Sequence, residues 1–179
     1  MVVDTSLRWD RMLVLIGYWH DEGYAASLPH PQCLVDPKWE RDRRRRIVGY
    51  LKAGRTAIAY PGSSYCRFGC AEKGSVELTD GTWIWPEGLA HYVHMHKIRL
   101  PDEFVAHAAS RRFKIPKMSA FRAPRESRGG EGATPQPLYD LTFWTTWCQQ
   151  HAQFSYEANC YACGGSPRNV QPLRWIIDD

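Results

Sequence analysis

The sequence predicts an α+β fold: a small single core with a finger-like knuckle, hairpin and helix at its centre and a second Cys/His knuckle near the C-terminus, both tied by zinc. Three observations carry this expectation. Cys66 and Cys70 precede His91 and His96, the residue order of a Cys2His2 zinc site. Two β-prone runs, 75–79 and 82–85, flank Asp80-Gly81, the commonest two-residue hairpin signal. Capped helical segments lie on either side of that stretch. With 179 residues the chain can bury an ordinary core without disulfides. We divide it into a main α+β domain (1–118, including the Cys/His segment 64–101), a flexible loop or linker (119–137) and an aromatic helix with a Cys/His knuckle (138–179), expected to pack on the main domain.

The elements follow in order. Leu7, Met12, Leu13, Ile16 and Trp19 give a helical stripe over 6–22, with Gly23 as its stop; a buried strand is the alternative for MLVLIGYW. Residues 23–35 read as loop, with Cys33 a buried thiol. Asp36-Pro37 reads as N-cap and first position of a helix that ends before Gly54. Its polar side carries Arg41, Arg43, Arg44, Arg45 and Arg46, the strongest basic cluster in the chain. These are phosphate contacts on one reading and a solvated helix face on the other. Residues 55–60 form a short strand leading into a Pro61-Gly62 turn.

Zn²⁺ takes about four soft or borderline donors in a tetrahedron. Gly69 beside Cys70 permits the tight turn that lets both thiols face one point. Trp85-Pro86-Glu87 reads as a helix start, and Lys97 and Pro101 place the helix end near His96. His91 and His94 share a helix face, whereas His91 and His96 need a helix end that tightens or unwinds. Twenty residues separate Cys70 from His91, more than the about 12 of a ββα finger. Ordinary buried thiols and a solvated histidine face are the competing explanation.

The segment 60–108 resembles a stretch of an uncharacterised bacterial protein family. The shared pattern is Cys-Arg-x-Cys-Gly, Thr-Asp-Gly, Trp-Pro-Glu-Gly-Leu-x-His-Tyr-Val, a later His, and Leu-Pro. No activity attaches to that resemblance. The chain departs from the pattern at Phe68-Gly69-Cys70, where cysteine and glycine are exchanged. The resemblance implies that His91 and His96, rather than His94, are the ligating histidines.

A helix over 103–111 follows Pro101, with Phe104, Val105 and Ala108 inward. Residues 119–137 are rich in Pro, Gly and Arg and read as a loop. An aromatic helix over 138–152 ends in Cys148 and His151, one turn apart. Cys160-Tyr-Ala-Cys163-Gly-Gly then reads as a zinc knuckle, and the four residues make a second ligand set; a redox pair at Cys160 and Cys163 is the alternative. Residues 172–177 read as a last strand. One mixed site remains an alternative to two separate ones.

Net charge is +4, which permits an anionic partner without requiring one. No apolar run is long enough to span a bilayer and no signal peptide is visible, so the expectation is a cytoplasmic protein with reduced cysteines. His20-Asp21-Glu22 with Cys160 and Cys163 echoes a deaminase metal signature, but the proline required before the first cysteine is absent. The favoured function is a zinc-binding module, holding one or two ions, with nucleic acid or another anionic macromolecule as partner. Two alternatives stand beside it. One is a small metal-dependent hydrolase using His91, His94 and His96 with Glu87 as base; the other is a protein–protein interaction or immunity-type protein. Zinc is favoured over iron by the mixed donor set.

Overall fold

The structure, a computed structural model, describes residues 12–20, 28–70, 72–117 and 139–151. Within them the α+β prediction holds, with five strands in one mixed sheet and four α-helices. The elements are β1 (Leu13–Leu15), α1 (Arg41–Lys52), β2 (Arg55–Tyr65), β3 (Glu72–Thr79), β4 (Trp83–Pro86), α2 (Leu89–His96), α3 (Asp102–Ser110), β5 (Tyr139–Asp140) and α4 (Thr142–His151). The sheet order is β2-β3-β4-β1-β5. β2, β3 and β4 form an antiparallel meander, while β1 runs parallel to β4 and β5. No helix among the described residues is long and apolar enough to cross a membrane.

Several expectations are corrected. The helix over 6–22 does not form where it is described, because Leu13–Leu15 is a strand between β4 and β5. A strand flanked on both sides in a parallel arrangement is apolar throughout, so periodicity alone reads it as helix. Helix α1 begins at Arg41 rather than Pro37. Asp36 spends one carboxylate oxygen on the Lys38 amide in a separate turn, and Glu40 takes the amides of Asp42 and Arg43 as the real cap. Pro61-Gly62 lies inside β2 instead of ending it. β2 is an edge strand, and the pairing slips between Ala59 and Ser64, so the missing proline N–H costs no ladder bond. Pro86 closes β4 opposite Glu77, and the Glu87 amide bonds to Val76 O, so α2 starts only after Gly88. Tyr139–Asp140 pairs with β1 before α4 begins, with Asp140 accepting the Thr142 amide. The expectations for 119–137, the Cys160–Cys163 knuckle and 172–177 lie outside the described residues.

The helices cover one face of the sheet. Trp85, Tyr50, Phe104 and Trp144 are fully buried there with Ile47, Leu51 and Leu89. Burying each large side chain contributes about 2–3 kcal/mol. Trp85 also donates its indole N–H to Leu51 O, and Trp144 donates to Tyr18 O. A smaller cluster of Leu13, Leu15, Ala57 and Ile84 lies apart from it.

Asp80 joins the layers. Its Oδ1 accepts the amides of Thr82 and Trp83, closing the β3–β4 turn. Its Oδ2 accepts Tyr50 Oη of α1 at 2.6 Å and lies 2.9 Å from His107 Nε2 of α3. Asp80 is 1% exposed, and the Tyr50 hydroxyl and Trp83 amide are buried with it, so these two donors would be stranded by its loss. Asp80→Ala is expected to cost about 3 kcal/mol and Tyr50→Phe about 1 kcal/mol, measured by denaturant unfolding. A loss under about 1 kcal/mol for Asp80→Ala would mean that the turn holds without its anchor.

Candidate metal centre

The knuckle is the connection between β2 and β3. Cys66 follows the last residue of β2, and Gly69 adopts φ +79°. That left-handed conformation suits glycine, and it lets the Gly69 amide reach back to Cys66 O at 3.0 Å. The backbones of Phe68 and Cys70 hydrogen-bond to the Cys66 side chain. The chain then returns through β3 and β4 to α2, which explains the long gap before His91: it houses two full strands.

Helix α2 brings the histidines to the knuckle. His91 Nε2 lies 3.1 Å from His96 Nε2. His96 Nε2 lies 3.4 Å from Cys66 Sγ and 3.5 Å from Cys70 Sγ. One donor atom from each of the four residues falls within 4.8 Å of all the others. Hydrogen bonding alone does not account for this meeting. A ring nitrogen carries one proton or one in-plane lone pair, and here it faces three partners. A tetrahedral ion with sulfur at about 2.3 Å and nitrogen at about 2.05 Å gives ligand edges of about 3.3–3.8 Å. The three separations from His96 are close to those edges, and the remaining pairs lie within 4.8 Å. The four residues can therefore hold a metal ion.

The surroundings fix the donors. Cys66 is 5% exposed, while Cys70, His91 and His96 are half-buried. Phe68 stacks on the His96 ring at 4.0 Å with 12° between planes, and His30 meets Phe68 edge-on. Tyr92 is buried beneath the knuckle. Its hydroxyl accepts the Arg67 amide at 2.8 Å and also bonds to the Cys66 side chain. Burial, and to a lesser degree the neighbouring Cys66, pushes the Tyr92 hydroxyl well above its ordinary value, so it stays a donor. Burial likewise pushes the Cys66 thiol up, against the pull of the Phe68 and Cys70 backbones. A bound cation would act in the opposite sense, because it stabilises the thiolate.

The remaining candidates fall elsewhere. His94 is exposed and outside the group, so the proposed trio of histidines does not assemble. Glu87 is exposed too, with its carboxyl against Gly74, and does not stand over the centre as a base. Cys148 is buried, and burial raises its thiol far above the usual range. His151 is exposed and stacked on Trp147, its Nδ1 2.9 Å from Trp147 O. Among the described residues these two join no group of three donors, and Cys160 and Cys163 lie outside those residues. On α1, Arg41, Arg43, Arg45 and Arg46 are exposed. Arg44 is half-buried, with Nη1 on Trp39 O at 3.3 Å. Tyr92 and Phe68 went unnoticed in the sequence. The only signal was an aromatic residue directly beside each ligand pair.

Tyr92→Phe keeps the buried ring and removes the hydroxyl. It is expected to weaken metal binding about tenfold with the fold intact, measured by competition with a chromophoric chelator. Unchanged affinity would show that Arg67 and Cys66 hold the knuckle without it. Set against family models, curated proteins and solved structures, the chain shows no match.

Proposed function

We propose that the chain is a zinc-stabilised binding module in which Cys66, Cys70, His91 and His96 hold one structural Zn²⁺ and helix α1 offers an arginine face to nucleic acid. The convergence of four donor atoms within 4.8 Å carries the first half. Two thiols with two imidazoles suit zinc better than a hard cation. Four protein donors complete a tetrahedron and leave no open position, which is the pattern of a structural site rather than a hydrolytic one. Neither His94 nor Glu87 supports the hydrolase alternative.

The second half rests on exposure. Arg41, Arg43, Arg45 and Arg46 project from the first turns of α1, with Glu40 and Asp42 as the nearby acids. The Arg46 guanidinium carbon lies 5.9 Å from the Phe113 ring centre, a cation–π contact made by a residue that remains exposed. Exposed guanidiniums suit phosphate oxygens, which they contact without reading sequence.

Two measurements test the proposal. Cys66→Ser and His91→Ala should each lose one zinc equivalent relative to the unaltered chain, and His94→Ala none, by elemental analysis of protein purified without chelator. Full metal content in the first two variants would end the zinc reading. Duplex DNA should bind with a steep salt dependence. Arg43→Glu with Arg45→Glu should weaken it at least tenfold and reduce the log–log salt slope by about 2. Binding unaffected by the pair, or no binding in about 50 mM salt, would remove α1 as the docking face.

A further inference from the structure

We propose that the cleft where β1 and β4 end binds the ammonium group of a small organic amine, with Glu77 as its counter-ion and Tyr18, Tyr60 and Tyr65 as its aromatic wall. The inference is independent of the metal centre. β1 and β4 run parallel, pairing Val14 with Trp83 and Leu15 with Ile84. Their chains leave the sheet through Gly17-Tyr18 and Gly88-Leu89 and part there, opening a cleft closed on its far side by Trp19 and Tyr92. Gly17, at φ +82°, packs so close to Leu89 that a Cβ would come within 2.7 Å of the leucine methyl. The backbone is thus drawn in on one side and the aromatic rings stand around the opening.

Charge decides the class of ligand. Glu77 is 8% exposed and sits on β3 opposite Ile58 and Pro86. Its carboxylate accepts the hydroxyls of Tyr18 and Tyr60. Among the described residues no lysine, arginine or histidine lines the cleft, and no ion pair is made to Glu77. A carboxylate this deep normally stands beside a cation. Its burial raises its pKa, and the two tyrosines offset part of that. At the rim, the carboxyl of Glu87 lies against Gly74, adding a second negative group. Helix α2 starts in the cleft wall, but its partial charge of about half a unit is smaller than one full carboxylate. An anion is therefore disfavoured and a neutral guest leaves Glu77 uncompensated.

Chemistry and size narrow it further. One carboxylate and neutral phenols are a poor set for a metal ion, which takes six or more oxygens as calcium or an octahedron as magnesium. Aromatic faces with a single carboxylate suit an organic ammonium, attracted by both ring quadrupole and charge. The cleft volume is about 50 Å³, three or four times the about 15 Å³ that admits one water. That accommodates an amine head with a short alkyl stem leaving past Tyr65, which is 46% exposed.

The probe is n-butylamine, protonated at neutral pH, compared with n-butanol and butyrate on the full chain as purified. Amide shifts of Gly17, Gly74 and Ser75 in ¹H–¹⁵N spectra report occupancy. The amine should give saturable shifts at these amides, with the alcohol and the acid at least tenfold weaker. Glu77→Gln removes the charge while keeping one acceptor oxygen, and should lose the amine's advantage over the alcohol. Equal binding of amine and alcohol, or of amine and acid, would overturn the proposal on the unaltered chain alone. So would an absence of saturable shifts, or an amine preference that survives Glu77→Gln.

Discussion

The centre depends on where helix α2 stops. His91 and His96 are five positions apart, which in an uninterrupted helix separates them by about 140° around the axis. They meet at the end of the helix: His96 is the last helical residue, and Lys97 turns left-handed at φ 56° directly after it. The Ile98 amide then folds back onto Tyr92 O, as in a helix end normally served by glycine. A lysine in that conformation costs about 1 kcal/mol. The following residues outweigh it. Ile98 and Leu100 are fully buried, Ile98 bridges Val35, and the Arg99 amide bonds to Leu34 O. The core on the far side of Lys97 thus enforces the turn that ends the helix at His96.

This explains which parts of the site were legible in the sequence. Cys66, Cys70, Gly69 and the Asp80-Gly81 turn act through local geometry, so spacing and residue type were enough to read them. Choosing His96 over His94 required knowing that the helix ends between two tight constraints. His94 fits the ideal helical face better and is nonetheless exposed. The fold shows the same division. Helix α3 follows its local Pro101-Asp102 start, and the expected 103–111 lies within one residue of Asp102–Ser110. β1 was taken for helix because its character comes from strands more than 60 residues away. Pro86 and Pro61 were read as a helix start and a turn. Each is settled by sheet pairing, Pro86 opposite Glu77 and Pro61 in the slipped register of an edge strand. Glu77 carries no local signal at all, since the two tyrosines that bond it come from separate parts of the chain, Tyr18 after β1 and Tyr60 in β2.

A metal in this protein would do different work from the metal of a minimal finger. A finger of some 30 residues has little core, so binding free energy is its folding free energy. Here Trp85, Trp144, Tyr50 and Phe104 form a buried core, and of the four donors only Cys66 is buried. The knuckle already touches α2 through the Tyr92 hydroxyl and the stacking of Phe68 on His96, but its own backbone is loosely specified. β2 and β3 slip in register near it, Gly69 and Gly74 both take positive φ, and Cys70 is only half-buried. Four donors from both sides of that contact would convert a loosely specified hairpin end into a fixed one.

Tyr92 ties the two regions of α2 together. Its hydroxyl binds the knuckle through Arg67 and Cys66, while its ring forms one wall of the Glu77 cleft and packs on Trp19 at 5.2 Å between centroids. Trp19 in turn meets Trp144 of α4 at 5.6 Å. A ring wedged between packed aromatics has few alternative positions, because interiors are as dense as organic crystals. The hydroxyl is therefore held still by contacts that have nothing to do with metal chemistry. The same packing that fixes the cleft wall delivers a stationary donor to Cys66, and α2 serves both through a single residue.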